Sequence, residues 1–234
     1  MTPRQDWIED AKMKAALRAI ENVKDAFTVG LGSGSTVAYA IAELGKKIER
    51  EQLHVLAVPT SYQASMLAAK NGIQITSLDE HTKLDLTIDG ADQIDRKLNL
   101  IKGMGGALTR EKVVASASEK LIIIADETKK VAALGEKNHP VPLEILPFAI
   151  TPVLGKVGEI GGKTVLREGK GKVGPVISDN GNIIADAYFG PIYEPAELET
   201  KLRNIPGILE NGLFVEMASV IYLGTRSGVE KIEK

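Results

Sequence analysis

AFTVGLGSGST, residues Ala26 to Thr36, is the stretch on which the fold turns. An apolar run (AFTVG) enters alternating glycines at 30, 32 and 34, and a segment with helical spacing follows from about Ser35 to Arg50. Strand, glycine turn and helix in that order open a βαβ unit. Glycine lets the backbone pass close to a ligand, and a helix start directly after it presents N–H groups to an anion. The same residues exclude two common phosphate-binding patterns. No Lys-Ser/Thr pair closes the loop, as an NTPase phosphate loop requires, and the third glycine of a GxGxxG fingerprint is missing whether counted from Gly30 or Gly32. The competing reading is a tight turn with a serine N-cap.

Working outward, Ile8, Ala11, Ala15, Ala19 and Val23 fall on one face of a segment from Asp6 to Lys24, which predicts an amphipathic helix before the strand. Downstream, LHVLAVP (53–59) reads as a buried strand, SYQASMLAAKNG (61–72) as a helix closed by Gly72, and IQITSL (73–78) as a strand. LDLTID (84–89) is a strand ending in acidic residues, 107–118 a helix, and LIIIAD (121–126) a very apolar strand. Strands this apolar are covered on both faces, as in a parallel sheet. The pattern changes after Lys130. PVPLEILPF (140–148) carries three prolines, ITPVLGKVGEIGG (150–162) predicts a short helix, and Asn180-Gly181 between strand-like runs predicts a hairpin. A last helix is expected over Pro195 to Arg203, and SVIYLG (219–224) reads as a strand returning to the first sheet. The expected fold class is therefore α/β: a Rossmann-like open sheet formed by 1–130 plus 205–234, with a smaller α+β domain inserted at 131–204.

Composition narrows function. With 29 basic and 31 acidic residues spread evenly, there is no basic stripe for nucleic acid. No apolar run approaches the ~20 residues of a membrane span, and the charged N-terminus lacks the apolar core of a secretory signal, so a cytoplasmic location is expected. Absent cysteines exclude disulfides, thiolate nucleophiles and Cys-bound zinc; His54, His81 and His139 form no ligand motif, so no metal site is expected. Catalysis would rest on carboxylates, lysines, hydroxyls and backbone amides.

Four stretches carry such groups. The first is Gly30 to Thr36, with hydroxyls at Ser33, Ser35 and Thr36. The second, DGAD (Asp89 to Asp92), follows a strand, where ligands of open α/β sheets collect; its competing reading is a turn with local aspartate hydrogen bonds. The third, KGMGGALTREK (102–112), has glycines at 103, 105 and 106 between Lys102 and Glu111, a density that suits an anion cradle better than a helix start. Its competing reading makes Glu111 a solvated helix residue between Arg110 and Lys112. The fourth, ADETKK (125–130), brings lysines to the same sheet edge or leaves them solvated. Backbone amides and lysines suit an anion, aspartates and hydroxyls a polyol, and a glutamate can move a proton beside a carbonyl. Residue chemistry alone reaches a sugar-phosphate site on an α/β sheet.

GLGSGST, VPTSYQA, IDGAD, LNLIKGMGGALTREK, IIIADETK, PVPLEILPF, SDNGNIIAD and IPGILENGLF, in this order from about Asp10 to the C-terminus, together resemble the A-type ribose-5-phosphate isomerases. The resemblance implies a Rossmann-like catalytic domain, a smaller ferredoxin-like domain at the oligomer interface, and a homodimer or homotetramer. It also implies cofactor-free interconversion of D-ribose 5-phosphate and D-ribulose 5-phosphate in the non-oxidative pentose phosphate pathway. By motif, Glu111 is the expected general base and Lys102 the expected oxyanion-stabilising group. Asp89 and Asp92 are expected to contact sugar hydroxyls, Asp89 also taking part in catalysis. Ser33, Gly34, Ser35, Thr36, Gly90, Ala91, Gly103, Met104, Gly105 and Lys129 complete the expected substrate-binding set.

Two positions depart from the family: Ser33 stands where Thr is common, and Gln93 follows DGAD where Glu is usual. The rival readings are another sugar-phosphate enzyme of the same superfamily, or a sugar-phosphate-sensing domain without turnover. Against the former, no histidine lies in a candidate motif. Against the latter, the single N-terminal helix runs straight into the first strand, leaving no room for a helix-turn-helix.

Overall fold

The computed structural model describes the backbone of residues 3–171 and 173–233 and their side chains from Trp7 onward. The chain divides into two units: Met1–Ala91, Arg110–Lys129 and Met217–Lys234 form the first, and Asp92–Thr109 with Lys130–Glu216 the second.

The chain begins with α1 (Pro3–Ile20), β1 (Thr28–Leu31), α2 (Ser35–Glu51), β2 (Leu56–Pro59), α3 (Tyr62–Lys70), β3 (Gln74–Ile75) and β4 (Leu86–Gly90). It passes into the second unit for β5 (Gln93–Ile94) and β6 (Leu100–Ile101), and returns through α4 (Leu108–Ser116) to β7 (Leu121–Asp126). The second unit then receives β8 (Val141–Ile145), α5 (Ile150–Glu159), β9 (Lys163–Leu166), β10 (Ile183–Tyr188), α6 (Pro195–Arg203), β11 (Ile208–Asn211) and β12 (Leu213–Phe214). The hairpin β13 (Val220–Gly224) and β14 (Val229–Glu233) closes the first.

In the first unit the sheet order is β14-β13-β7-β4-β1-β2-β3, parallel throughout except for β14 against β13. The chain lays strands outward from β1 in one direction, then resumes on its other side with β4. The order therefore reverses between β1 and β4, the place where open α/β sheets bind ligands. The face predicted for α1 is buried at Ala11, Ala15 and Ala19. Val37, Ala40, Ile41 and Leu44 of α2 are buried as well, and so is every residue of β1 and β7. Each large aliphatic side chain removed from water in this way contributes about 1.5–3 kcal/mol. Among the described residues no helix is long and apolar enough to cross a membrane.

In the second unit β8-α5-β9-β10-α6-β11 builds an antiparallel sheet in the order β11-β8-β10-β9, the split βαβ arrangement of ferredoxin-like folds. Val141, Leu143, Ile145, Val153, Val157 and Ala185 pack its core. A second small sheet, β12-β6-β5, is also antiparallel.

Two features differ from the expectation drawn on sequence. Residues 92–109, Lys130 and residues 205–216 belong to the second unit rather than the first. The reason is strand pairing: β5, β6 and β12 bond to one another and β11 bonds to β8, and strands of two residues have no alternation to read. The Asn180-Gly181 turn forms, with Gly181 at φ 82° and the Ser178 N–H donating to Asn182 O at 2.8 Å. Among the described residues, however, its upstream arm makes isolated bridges, and the extended partners of β10 are β8 and β9.

Candidate active site

β1 and β4 run side by side and release their loops at the same carboxyl edge. The loop after β1 lies directly on Asp89, the penultimate residue of β4. The Gly32 N–H donates to Ile88 O at 2.9 Å, and the fully buried Asp89 accepts through Oδ1 from the N–H groups of Gly90 (2.7 Å) and Ser33 (3.3 Å). A Cβ at Gly32 would fall 2.0 Å from that same Oδ1, so glycine is required here by close approach. Asp89 is short and buried and has nowhere to move. Gly32→Ala is accordingly expected to cost about 1–3 kcal/mol of stability by overpacking, measured by denaturant unfolding; unchanged unfolding would mean that the loop does not bear on Asp89.

The same loop is laced to the segment after β2. Ser33 Oγ donates to Ser61 Oγ (2.6 Å) and lies 2.9 Å from Thr60 Oγ1, while the Gly34 N–H donates to Gln63 Oε1 (2.9 Å). Ser61 in turn caps α3 by accepting the Ala64 N–H. The serine N-cap of the competing reading is not formed. Gly34 occupies that position at φ 103° with no side-chain cap, so Ser35 and Thr36 begin a helix whose first N–H groups and partial positive charge are not engaged by a capping side chain. Lys12, to which the sequence reading assigned no role, comes from α1 to this helix start: its Nζ lies 3.3 Å from Ser35 Oγ and 2.8 Å from Glu9 Oε1. Hydrogen bonds from the Lys12 ammonium and the Tyr39 hydroxyl hold the Glu9 carboxyl below its usual range. A signal existed in the row Ile8, Lys12, Ala16, where one cation interrupts i,i+4 apolar positions.

Glu111 reaches the edge through α4. Val114 packs where Gly30 leaves room: a Cβ there would lie 2.5 Å from Val114 Cγ1 and 1.9 Å from Thr87 Oγ1. Farther on, Ser118 bridges to Leu84 ahead of β4 and its Oγ lies 2.6 Å from Thr87 Oγ1. The helix therefore runs back along β1 and β4 and starts at their carboxyl edge. Glu111, three residues before Val114 on the same face, is about 4.5 Å nearer that edge. It is only 4% exposed, so it is not the solvated residue that its neighbours Arg110 and Lys112 suggested. Arg110 turns aside, its guanidinium 5.4 Å from the Tyr62 ring centre. One strand over, Lys129 ends a short 3₁₀ turn after β7, where Asp126 accepts from the Thr128 N–H and hydroxyl.

The DGAD motif is divided between the units, since the boundary falls after Ala91. In the second unit Asp92 meets the glycine-rich loop. Its N–H donates to Ile101 O (2.9 Å), and its Oδ2 accepts the Met104 N–H (3.0 Å). Lys102 follows β6, is 3% exposed, and holds its ammonium 5.3 Å above the Phe214 ring. Gly103, at φ 101°, packs its Cα on Leu108, where a Cβ would meet Leu108 Cβ at 2.8 Å. Thus Ser33 to Thr36 gather with Asp89 and Gly90 in the first unit, and Asp92 gathers with Lys102 to Gly105 in the second. Taken by their chemistry, these groups supply an uncapped helix start and a cation for an anion, buried carboxylates for hydroxyls or protons, and a buried ammonium for a developing negative charge.

Comparison with known proteins yields a consistent set of relatives. The family model described as ribose 5-phosphate isomerase A (phosphoriboisomerase A) matches residues 56–228. Ribose-5-phosphate isomerase A of Methanothermobacter thermautotrophicus is 48% identical over 219 residues, covering 94% of this chain and 96% of its relative. The structure of ribose 5-phosphate isomerase A from Methanocaldococcus jannaschii superposes with a TM-score of 0.93 at 44% identity, covering 97% of this chain and 99% of the other. A structure of D-ribose-5-phosphate isomerase in complex with phospho-erythronic acid gives a TM-score of 0.94 at 44% identity, again over 97% and 99% of the two chains.

Proposed function

Because this chain belongs to the ribose 5-phosphate isomerase A family, we propose that it interconverts D-ribose 5-phosphate and D-ribulose 5-phosphate through an enediol intermediate, with Glu111 as the general base. The observation that carries this reading is the position of Glu111: a carboxylate almost fully removed from water, in the first turn of a helix that starts at the switch point of a parallel sheet. Burial there strengthens the electrostatic interactions of the carboxylate with the reacting atoms.

The steps follow from aldose chemistry. In the open-chain aldehyde the C2 proton is acidified by the C1 carbonyl. Glu111 takes that proton, the C2–H electron pair becomes the C1=C2 bond, and the carbonyl electrons move onto O1. Lys102 stabilises the negative charge on O1. The hydroxyl proton of O2 is given up as O1 is protonated, and Glu111 returns its proton to C1, leaving a ketone at C2. Asp89 and Asp92 take sugar hydroxyls, Asp89 also assisting opening of the furanose ring. The start of α2 at Ser35 and Thr36, with Lys12 beside it, receives the phosphate; Lys129 adds a second cation on the same edge. Binding of phospho-erythronic acid, a phosphorylated polyhydroxy acid, by a structural relative supports this ligand class. The exposed Phe148 and Tyr193 of the second unit support the expected homo-oligomer with that unit at the interface.

The test is isomerisation of ribose 5-phosphate in D₂O by protein freed of metal with chelator. Ketose product carrying deuterium at C1 is expected. Binding of ribose 5-phosphate without turnover would make the chain a sensor, and absence of binding would overturn the substrate class.

A further inference from the structure

The loop that carries Lys102 contains three glycines in four residues, Gly103, Gly105 and Gly106, and so has few side chains to hold its peptide planes. A flip of either central peptide would turn a carbonyl dipole, rather than an N–H, toward a bound anion. The second unit supplies a device against this. Arg167, immediately after β9, donates from Nη1 to both Gly103 O and Met104 O, each at 2.9 Å. Its remaining guanidinium edge forms a two-pronged pair with Asp186 of β10, Nε to Oδ2 at 2.9 Å and Nη2 to Oδ1. Both side chains are 12% exposed. The backbone of Arg167 is pinned as well: its N–H donates to Ile184 O (3.0 Å) and its carbonyl accepts the Val176 N–H (2.7 Å).

We infer that Arg167, oriented by Asp186, is a positioning residue that sets the direction of the loop's peptide planes and thereby the placement of Lys102. A trans peptide is planar with C=O and N–H pointing oppositely. Drawing the Gly103 and Met104 carbonyls onto one guanidinium therefore turns the N–H groups of Met104 and Gly105 the other way. The Met104 N–H lands on Asp92 Oδ2 at 3.0 Å, which couples the clamp to a second proposed substrate contact. Gly103 O also accepts the Gly106 N–H at 2.9 Å, closing the turn. Upstream, the Lys102 N–H is held by Gly212 O at 2.9 Å, so the residue is fixed on both sides. Lysine cannot substitute. A guanidinium serves a carboxylate with two prongs and still reaches two carbonyls, whereas an ammonium is a compact point donor.

This inference rests on the role proposed for Lys102, and two readouts separate them. The first is amide hydrogen exchange in Arg167→Lys and in the isosteric Asp186→Asn. Exchange at Met104 and Gly106 is expected to accelerate at least about tenfold, with β10 amides such as Ala185 unchanged. The second is a double-mutant cycle on kcat. Arg167→Lys is expected to lower kcat about 10- to 100-fold with KM within about threefold, and to have little further effect in a Lys102→Ala background, because it acts through that residue. Unchanged exchange at Met104 and Gly106, or equal losses in both backgrounds, would overturn the clamp. Accelerated exchange in a protein whose parent does not isomerise ribose 5-phosphate would keep the clamp and overturn the proposed function.

Discussion

Glu111→Gln is expected to lower kcat for ribose 5-phosphate isomerisation by about 10²–10⁴-fold, the range over which a positioned general base acts. This corresponds to about 3–5 kcal/mol of transition-state stabilisation. The substitution preserves the volume and one carbonyl acceptor of a side chain that is 4% exposed, and removes its negative charge and its ability to take a proton. The fold is therefore expected to persist, because α4 is anchored by Val114 over Gly30 and by Ser118 on Thr87. Substrate affinity is expected to change little, since the proton moves only in the transition state. The measurement is kcat and KM beside exchange of solvent deuterium into the C2 position of the aldose. If turnover stays within tenfold and exchange continues, the base is another residue.

Lys102→Met carries the second largest expectation, a fall in kcat of about 10²–10³-fold with KM within several-fold. Methionine retains most of the stem and volume of a side chain whose ammonium sits over Phe214, so the change removes the charge, its contact with the ring included, and little else. A cation that is 3% exposed acts in a medium of low effective dielectric, and its worth to an oxyanion is far larger than it would be in water. That worth appears only as charge develops on O1, so it belongs in kcat. A rise in KM with unchanged kcat would assign Lys102 to the ground state, as a contact to phosphate or hydroxyl.

Much of the candidate site was legible because its residues come in local clusters with a physical signature. Glycines 30 and 32 stand out in a strand-to-turn sequence, and the structure shows what they make room for: Val114 and Thr87 in one case, the Asp89 carboxylate in the other. Asp89 and Asp92 declared themselves by following an apolar strand. Their division between two units did not, since nothing in four consecutive letters marks a domain boundary. Ser33 shows the limit from the other side. Its hydroxyl was counted as a ligand group, yet it is engaged with Thr60 and Ser61, residues nearly thirty positions away. Lys12 was passed over for the matching reason: a lysine on an amphipathic helix looks like any solvated cation until the helix is docked beside Ser35.

What the sequence determined by itself is the set of local elements and their alternation: the amphipathic face of α1, the apolar run Leu121 to Ala125 of β7, and the strand–glycine–helix opening. These depend on side-chain periods of 3.6 and 2 and on the backbone freedom of glycine, all readable within a dozen residues. The tertiary structure alone decided which two-residue strands pair and that α4 lays Glu111 at the edge between β1 and β4. It also decided that Arg167 reaches back some sixty residues to hold two carbonyls of a glycine-rich loop. Such contacts are set by closing the chain over long separations and by burying groups that must then find partners. Neither requirement leaves a periodic mark on the segments that meet.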